Sequence, residues 1–408
     1  MGTEITIRQA TADDLDTIAY LKSVGFGSDQ AVTRVNLADN PRYNISHIVI
    51  AEVDGQAVGT ATAFPSQMWI SGVPLQLGAV ASVTTLPEFR NRGVATALMQ
   101  HLLEKMARDG VAISALFPAA YTLYQSLGYG LAAVWHAYSL KPSNLPQFSE
   151  TANVRDFVMD DLPSLRSIYR GSQLSLADGR VTRSNTWWEW LVSQTLREGN
   201  RHIVVYEGGD GVEGYLKYQI AEDHALKVVE MIVAGEAAYR GLWGYMASQP
   251  DIERIDYLAP ADDPILHLMQ IPGDSHGGNR GWIYDDIYHA TLSFMLRVVD
   301  VGEALTSRFY PHDMMGHRVF KIHDAQLPAN ETLINFRIVD GRPDILPDEG
   351  KEPDIETDIV TFSQVFCGFM SPESARRLGR LKADDETILW LERAMAANPL
   401  FIQQGDRF

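Results

Sequence analysis

One stretch of the chain occurs twice, and this repeat constrains the fold more than any other feature. The segment HIVIAEVDGQAVGTATAF (47–64) has a counterpart in HIVVYEGGDGVEGYLKYQI (202–220). Both begin with His-Ile-Val and carry a glutamate before, and a glycine after, a short turn. Two apolar runs around such a turn are typical of a β-hairpin. At 408 residues the chain is too long for one core, so the repeat predicts a duplicated α/β unit.

The first copy alternates strand and helix patterns after its hairpin. LGAVASVTT is a run of small and β-branched residues, which favours a buried strand. From Val94 to Met106, apolar residues recur every fourth position, which predicts a helix ending near Gly110. A strand, a short helix that breaks at a glycine and a last strand are then predicted at 111–117, 119–130 and 133–140. The first unit is therefore expected to close by about residue 140.

The second copy follows a proline-containing linker at 141–147. Residues 228–248 stand where the first copy has its buried strand, turn and helix, but Ala238 stands in the place of Arg90. The bulky pair Leu242-Trp243 follows Gly241, and a large ring there would block a ligand from the backbone. The second copy is therefore interpreted as structural.

A third, α+β segment follows. Residues 332–341 and 354–370 alternate apolar and polar side chains as strands do, and two helices are predicted with Ser371 and Asp385 as caps. Cys367, in an apolar run, is interpreted as a core residue. The predicted domains are a mixed α/β domain at 1–145, its degenerate copy at 146–288 and the α+β domain at 289–408.

Charge and composition exclude several functional classes. The formal net charge is -18, which disfavours nucleic acid and anionic membranes and suits a cationic substrate. No apolar run approaches the roughly 20 residues of a membrane span, and the first residues lack the pattern of a signal peptide. A single cysteine excludes an intrachain disulfide. These features together predict a cytoplasmic protein.

The segment RNRGVA (90–95) between a buried strand and a helix carries the clearest chemistry. A helix N-terminus exposes unpaired N–H groups and the positive end of the helix dipole, so it favours anions. Gly93 and Ala95 leave the backbone accessible, and Arg90 and Arg92 add positive charge. The segment is neither a P-loop nor a dinucleotide fingerprint, because the required Gly-Lys-Ser/Thr and Gly-x-Gly-x-x-Gly patterns are missing.

The stretch from Val80 to Leu98 resembles the acetyl-coenzyme A pyrophosphate motif of the GCN5-related N-acetyltransferases (GNAT superfamily). The whole chain resembles the Eis-like group of that superfamily. The resemblance implies tandem GNAT domains, the second degenerate, followed by a sterol-carrier-like domain whose C-terminal tail returns to the active site. It also implies acetyl-CoA as cosubstrate and no metal. Eis-like proteins are often hexamers, so a homo-oligomer is expected.

The resemblance also implies residue roles. The pantetheine arm would pair with the backbone of Val83, Thr84 and Thr85, and Ala119 and Ala120 would flank the thioester. The residues expected to hold the pyrophosphate are Arg90, Asn91, Arg92, Gly93, Val94, Ala95 and Thr96.

The segment YTLYQSLGYG (121–130) resembles the family's catalytic run, which makes Tyr124 the general acid that protonates the coenzyme A thiolate. The general base would be the main-chain carboxylate of the C-terminal residue, Phe408. Two positions depart from the family pattern: Phe117 stands where some relatives have histidine, and Arg407 where some have an acidic residue. Both concern the acceptor pocket.

The acceptor stays open at this stage. The family and the acidic charge favour a primary amine on a cationic small molecule, such as an aminoglycoside or a polyamine. Lysine side chains of peptides or proteins are an alternative, as is a non-catalytic acyl-CoA or lipid carrier. Asp29 and Trp187–Trp190 could line the acceptor pocket, although core packing is favoured for the tryptophans. His312 and His317, and the glycine-rich segment 274–281, are interpreted as loops without a metal or catalytic role.

Overall fold

Three β-sheets organise the computed structural model, which describes residues 4–171, 178–269 and 288–408. The turn predicted at 274–281 lies outside the described residues. The chain forms two compact units. The first comprises the chain up to Ala133, Ser293–Asn398 and Phe408, and the second comprises Val134–Leu292 and Pro399–Arg407.

The strands of the described residues, in chain order, are β1 (Ile5–Gln9), β2 (Ile48–Val53), β3 (Gln56–Ile70), β4 (Val73–Thr85), β5 (Ile113–Leu116), β6 (Gly130–Leu131), β7 (Val134–Leu140), β8 (Val154–Asp156), β9 (Arg201–Gly208), β10 (Gly211–Ile220), β11 (Ala225–Val233), β12 (Arg254–Ala259), β13 (Tyr288–Leu292), β14 (Met295–Val298), β15 (Gly316–His323), β16 (Ile334–Val339), β17 (Arg342–Leu346), β18 (Ile355–Asp358) and β19 (Leu381–Lys382). The α-helices are α1 (Leu15–Phe26), α2 (Gln30–Asp39), α3 (Val94–Arg108), α4 (Tyr121–Ser126), α5 (Leu162–Gly171), α6 (Asn185–Arg197), α7 (Glu236–Ala247), α8 (Ile265–Leu268), α9 (Val301–Ser307), α10 (Ile359–Phe366), α11 (Pro372–Arg377) and α12 (Asp385–Ala394).

The first sheet has the order β1-β2-β3-β4-β5-β14-β6, in which β1 to β4 are antiparallel and β4 and β5 are parallel. The predicted hairpin is confirmed as β2 and β3, joined by Asp54 and Gly55 with φ of 50° and 77°. The predicted helix is confirmed as α3, and its apolar stripe from Val94 to Met106 is buried. Each fully buried side chain of this kind contributes about 1.5–3 kcal/mol, so the stripe holds α3 on the sheet.

The strand predicted at 133–140 is present but belongs to a different sheet. This strand, β7, pairs with β12 and β13 in the second sheet. Its expected place in the first sheet is taken by β14, which pairs antiparallel with β5 and β6. The prediction was wrong about the sheet because a two-residue period identifies a strand and its faces, whereas the partner of that strand depends on non-local packing.

The second sheet, β13-β7-β12-β11-β10-β9-β8, contains the repeated hairpin as β9 and β10. An ion-pair pattern shows how closely the two copies correspond. In the first copy, Arg8 lies 2.7 Å from Asp14 and 2.7 Å from Glu52. In the second copy, Arg155 lies 2.8 Å from Asp161 and 2.5 Å from Glu207. Both aspartates also accept a bond from the backbone N–H three residues earlier, so the duplication extends to individual side chains.

The third sheet has the order β17-β16-β15-β18-β19. Here one predicted strand is wrong in its second half, because Ile359–Phe366 forms the helix α10 after the strand β18. Asp358 caps this helix by accepting from the Thr361 N–H at 2.9 Å. Nearly all its side chains are buried, including the polar Thr361, Ser363 and Gln364, so an alternation of apolar and polar residues does not separate a buried from an exposed face here. Ser371 caps α11 as predicted, while the cap of α12 is Asp384, one residue before the predicted Asp385.

Candidate functional site

The central strands of the first sheet separate at one end, and this gap is the core of the candidate site. Parallel pairing of β4 with β5 runs from Leu77–Ile113 to Val80–Leu116 and goes no further in the described residues. Immediately beyond it, β4 has a bulge where Ser82 adopts a φ of 56°. Bulges bend and twist a strand, and Val83, Thr84 and Thr85 lie at or beyond this one, where β4 pairs with β3 but not with β5 in the described residues. The backbone groups on the β5 side of these three residues are thus not paired with β5.

The loop after β4 leads directly into the N-terminus of α3. Asn91 and Gly93 both have left-handed backbone conformations, with φ of 58° and 84°. Arg90, Asn91, Arg92 and Gly93 are exposed, whereas Val94 is buried. The Arg92 guanidinium lies 5.2 Å from the Phe89 ring, and the Arg90 Nε lies 3.5 Å from the Thr85 carbonyl oxygen. The predicted cationic, glycine-opened helix start is thus present, and it follows the separated end of β4.

One buried polar atom fits a ligand in this gap. The hydroxyl oxygen of Thr85 is buried and has no hydrogen-bond partner among the described residues. A buried hydroxyl without a partner costs free energy unless a bound molecule or water satisfies it. The Thr84 hydroxyl, by comparison, donates to the Leu21 carbonyl oxygen at 3.3 Å. The Thr85 hydroxyl, at the end of β4, is therefore a buried polar atom that still lacks a hydrogen-bond partner among the described residues.

Tyr124 lies on α4, in the buried cluster that also contains Val80 and Leu116, the last paired residues of β4 and β5. Its side chain is 6% exposed, and burial raises the pKa of its phenol. Among the described residues its hydroxyl has no hydrogen-bond partner. The phenol is therefore protonated at neutral pH and available as a donor next to the gap.

The turn after Tyr124 is fixed by contacts that the sequence did not predict, although Leu127 and Tyr129 belong to the run that resembles the family's catalytic segment. The Tyr129 ring packs edge-on against the Tyr124 ring at 6.2 Å, and its hydroxyl lies 2.8 Å from the Ser114 hydroxyl. The guanidinium of Arg297, on β14, donates to the Leu127 carbonyl oxygen and forms a buried ion pair with Asp324 at 2.6 Å. An arginine within the apolar run FMLRVV is the only sequence signal for this support. These contacts hold α4 and its tyrosine in place.

The C-terminal residue contacts the end of β5. The Phe408 ring lies 5.5 Å from the ring of Phe117, the residue directly after Leu116, and Phe117 also contacts Phe294 at 6.0 Å. Phe117, the departure from the family pattern, thus forms an apolar contact for the terminus. Ala119 and Ala120 follow it as exposed residues before α4. The structure therefore brings the end of β5, α4 and the chain terminus into one region of the first unit.

The second copy retains the separated strands but loses the loop. Pairing of β11 with β12 ends at Val228–Tyr257, and β11 has a bulge immediately afterwards. However, α7 begins at Glu236, three residues after β11 ends at Val233. Gly241 is therefore inside the helix and not at its start, which corrects the predicted alignment of the two turns. A Cβ at Gly241 would lie 2.6 Å from the Tyr206 ring, so this glycine serves close helix–sheet packing.

The other candidate residues have structural roles. Asp29 caps α2 by accepting from the Val32 N–H at 2.9 Å. Trp187 and Trp188 are buried, which confirms core packing for them. Cys367 is also buried, and burial raises the pKa of its thiol to about 11. His317 lies on β15 beside Asn335, and Asp313 pairs with Arg393. In the described ranges, groups of three or more potential metal ligands do not occur, and helices long and apolar enough to cross a membrane are also absent.

Comparison with known protein families agrees with this architecture. The family model of the acetyltransferase (GNAT) domain matches residues 6–132, and a second GNAT acetyltransferase model matches residues 179–298. The model of the sterol carrier protein domain matches residues 301–402. These matches confirm the predicted fold class, two GNAT domains followed by a sterol-carrier-like domain.

Individual relatives are distant in sequence but similar in fold. The chain is 26% identical over 281 residues to an uncharacterized N-acetyltransferase of Streptomyces griseus. The aligned region covers 63% of this chain and 65% of that relative. It is 22% identical over 367 residues to the N-acetyltransferase Eis of Mycobacterium tuberculosis, covering 86% of each. A GCN5-related N-acetyltransferase from Anabaena variabilis has the same fold, with a TM-score of 0.85, 18% identity and coverage of 99% and 100%. Eis1 from Mycobacterium abscessus has a TM-score of 0.77, 20% identity and coverage of 100% of both chains.

The chain therefore belongs to the GNAT superfamily of acetyltransferases. Within that superfamily it is Eis-like, because it combines two GNAT domains with a C-terminal sterol carrier domain and matches Eis over most of its length. GNAT domains imply acetyl-CoA as the acetyl donor.

Proposed function

We propose that this protein is an acetyl-CoA-dependent N-acetyltransferase that acts in a ternary complex on primary amines of cationic small molecules. The observation that carries the proposal is the point where β4 and β5 stop pairing: a cationic helix start follows β4, and the buried Tyr124 belongs to the core cluster that contains the last paired residues, Val80 and Leu116. A cosubstrate with an anionic pyrophosphate and an extended amide-containing arm matches both features.

The proposed binding roles follow from the order of groups along this gap. The backbone N–H groups of residues 91–96, with Arg90 and Arg92, would bind the pyrophosphate. The backbone of Val83, Thr84 and Thr85 would pair with the pantetheine amides, with the unpaired Thr85 hydroxyl close by. Ala119 and Ala120, after β5, would flank the thioester because small exposed side chains leave room there.

The proposed chemistry is one direct transfer. A neutral amine attacks the thioester carbonyl carbon, so the C–N bond forms and the C–S bond breaks. The amine proton passes to the terminal carboxylate of Phe408, directly or through a water molecule, and Tyr124 protonates the departing thiolate. A terminal carboxyl has a pKa of about 3.3–3.7 in model peptides, so partial burial against Phe117 and a water relay would favour its action as a base.

The acceptor is proposed from charge. A formal net charge of -18 favours cationic over anionic acceptors. Aminoglycoside-like or polyamine-like amines meet this condition, and lysine side chains of proteins remain the second candidate. A homohexamer is proposed from the family resemblance alone.

A carrier role for the third sheet is less well supported by its packing. The aromatic rings of Phe320, Phe336, Phe362 and Trp390 contact one another at 6.0–6.3 Å between β15, β16, α10 and α12. Aromatic rings in mutual contact pack a hydrophobic core at the density that is usual for protein interiors. The space between this sheet and the helices α10 and α12 is thus occupied by protein.

The direct test is a thiol-release assay with acetyl-CoA and a panel of amines, with mass spectrometry of the product. We expect release of free coenzyme A and a mass gain of one acetyl group on polycationic amines, with weaker activity on neutral amines. Acetylation of lysine peptides in preference to all small amines would favour the second candidate. Failure to release thiol with every amine, together with tight acetyl-CoA binding, would contradict the enzyme proposal.

The glycine at the start of α3 yields a prediction on cosubstrate binding. Replacing Gly93 with alanine places a side chain at a φ of 84°, which costs about 1–2 kcal/mol of stability. It should also raise the KM for acetyl-CoA about tenfold, because the loss of about one backbone hydrogen bond to phosphate corresponds to that factor. Gly110→Ala is the matched control, since Gly110 has a φ of 71° at the other end of the same helix. This control should lose similar stability with an unchanged KM; equal KM values in both variants would contradict the pyrophosphate role.

A further inference from the structure

The separated strands of the second copy border a cavity. Pairing of β11 with β12 ends at Val228–Tyr257, and from this point onward the two strands line a cavity of about 190 Å³. The rest of its lining comes from the start of α7, the loop before α8 and the segment Pro399–Arg407, all within the second unit. An apolar cavity of about 150 Å³ holds a benzene molecule, so this one has room for a ligand of about eight non-hydrogen atoms.

The wall of this cavity is largely apolar and aromatic. Tyr239, Tyr257 and Phe401 contribute rings, and Val228 and Val233 contribute aliphatic side chains. Tyr257 and Phe401 are themselves buried. Aromatic rings provide a large apolar surface, and their faces also attract cations. The wall therefore suits a molecule that has a compact apolar body and carries either no charge or a positive one.

One carboxylate in this wall has no cationic partner. Asp263 accepts hydrogen bonds from the hydroxyls of Tyr239 and Tyr257, both at 2.7 Å, and its Oδ1 also accepts from the Ile265 N–H at 3.0 Å. In the described part of the chain it forms no ion pair. Burial raises the pKa of this carboxyl, as expected where no cation offsets the loss of hydration. A carboxylate has about four acceptor positions, so one position, on Oδ2, is left for a further donor.

The other charged residues of the lining do not provide a site for an anion. Glu230 accepts two bonds from Arg183, at 2.6 and 2.9 Å, and Arg183 also pairs with Asp406 at 2.7 Å. Glu236 is exposed in the first turn of α7. None of the lining residues that the structure describes is basic. Because the corresponding helix start of the first copy is cationic, the two copies differ in charge at this place of the fold.

We propose that this cavity is a binding site for a small organic ammonium ion, with Asp263 as its counter-ion and the rings of Tyr239, Tyr257 and Phe401 around its apolar part. An amine with one aryl group, of about eight non-hydrogen atoms, matches the volume. Its N–H groups can donate to the remaining position on Oδ2, and such charge-assisted bonds are stronger than neutral ones. The site lies entirely in the second unit and is independent of the catalytic role proposed for the first.

The test uses benzylammonium as the probe, titrated into the full chain without acetyl-CoA and followed by calorimetry. Benzyl alcohol has the same size without the charge, and benzoate has the opposite charge. We expect benzylammonium to bind at least about tenfold more tightly than benzyl alcohol, because an ionised donor strengthens the hydrogen bond. Benzoate should not bind. Equal affinities for benzylammonium and benzyl alcohol would exclude Asp263 as a counter-ion.

Replacing Asp263 with asparagine tests the same carboxylate directly. Asparagine keeps the shape of the side chain and removes its charge, so benzylammonium should bind about tenfold more weakly or worse, and benzyl alcohol should bind as before. Asp262→Asn is the matched control, because Asp262 is the exposed neighbour outside the cavity lining. It removes the same net charge and should change the affinity less than about twofold. An equal loss in both variants would mean that the probe responds only to the overall negative charge.

A second variant keeps Asp263 and reduces the cavity, which covers the case in which Asp263→Asn does not fold. Val229 is half-buried, is skipped in the pairing of β10 with β11 and lines the cavity. The larger side chain of Val229→Phe should occupy the space of the ligand and abolish the binding of both benzylammonium and benzyl alcohol. If the folded variant binds benzylammonium as tightly as the wild-type protein does, the probe occupies another site and the cavity is not the ammonium site.

Discussion

Replacing Tyr124 with phenylalanine is expected to lower kcat about 100-fold or more, with little change in the KM for acetyl-CoA. Loss of a general acid typically costs a factor of 10² to 10⁴, and the ring that packs against Tyr129 is retained by phenylalanine. Steady-state kinetics with the best amine from the panel, together with coenzyme A binding by calorimetry, measures both quantities.

Tyr121 provides the matched control for this variant. It lies at the first position of the same helix and is exposed, so Tyr121→Phe should leave kcat unchanged. Equal kcat values for Tyr124→Phe and the wild-type protein would exclude Tyr124 from the reaction.

The pH dependence of the wild-type reaction gives a second check on the same residue. Burial raises the pKa of Tyr124 above its usual value of 10.0, so the acid form persists through neutral pH and is lost only as the pH rises past this raised pKa. Turnover should therefore rise with pH as the amine loses its proton, and it should not fall before about pH 10. A fall between pH 7 and 9 that disappears in Tyr124→Phe would contradict the raised pKa.

Extending the chain by two glycines beyond Phe408 is expected to lower kcat by about 10² to 10⁴, the usual contribution of a general base. The extension converts the carboxylate of Phe408 into a neutral amide and moves the charge two residues away. The Phe408 ring, which lies 5.5 Å from the Phe117 ring, and the buried side chains of Leu400, Phe401 and Ile402 stay unchanged. The melting temperature should therefore stay within about 1 °C of the wild-type value, since exposed additions have little effect on stability.

An insertion elsewhere controls for the two added glycines. Gly350 lies in the exposed acidic loop between β17 and β18, and two glycines inserted after it should change neither kcat nor folding. Full activity of the extended chain would exclude the terminal carboxylate as the base. A parallel loss in the loop insertion would mean that the effect does not arise at the terminus.

Much of the fold was predictable because its signals are local. The hairpin at Asp54-Gly55 and the stripe of α3 depend on turn chemistry and on a four-residue spacing, both of which are encoded within about 15 residues. The helix start at Gly93 was predictable for the same reason, since a left-handed glycine after a buried strand is a local feature. The predicted elements around the proposed acetyl-CoA site are therefore found where expected.

The errors share a different cause. The strand β7 was assigned to the wrong sheet, α10 was read as strand, and Gly241 was placed at a helix start although it lies inside α7. In each case the local pattern fits two arrangements, and packing against distant segments decides between them. In α10 the polar residues Thr361, Ser363 and Gln364 are themselves buried, so no exposed polar face reveals the helical period.

The sequence by itself determined the family, the duplication and the donor half of the proposed site, because these depend on residues close together in the chain. Only the tertiary structure decided that β14 completes the first sheet, that Arg297 supports the turn after Tyr124, and that Asp406 is buried with Arg183. The last two of these contacts join residues 170 and 223 positions apart. Hydrogen bonding in a buried polar cluster depends on which side chains are close together in the folded structure. The periodicity of a single segment does not predict such long-range contacts.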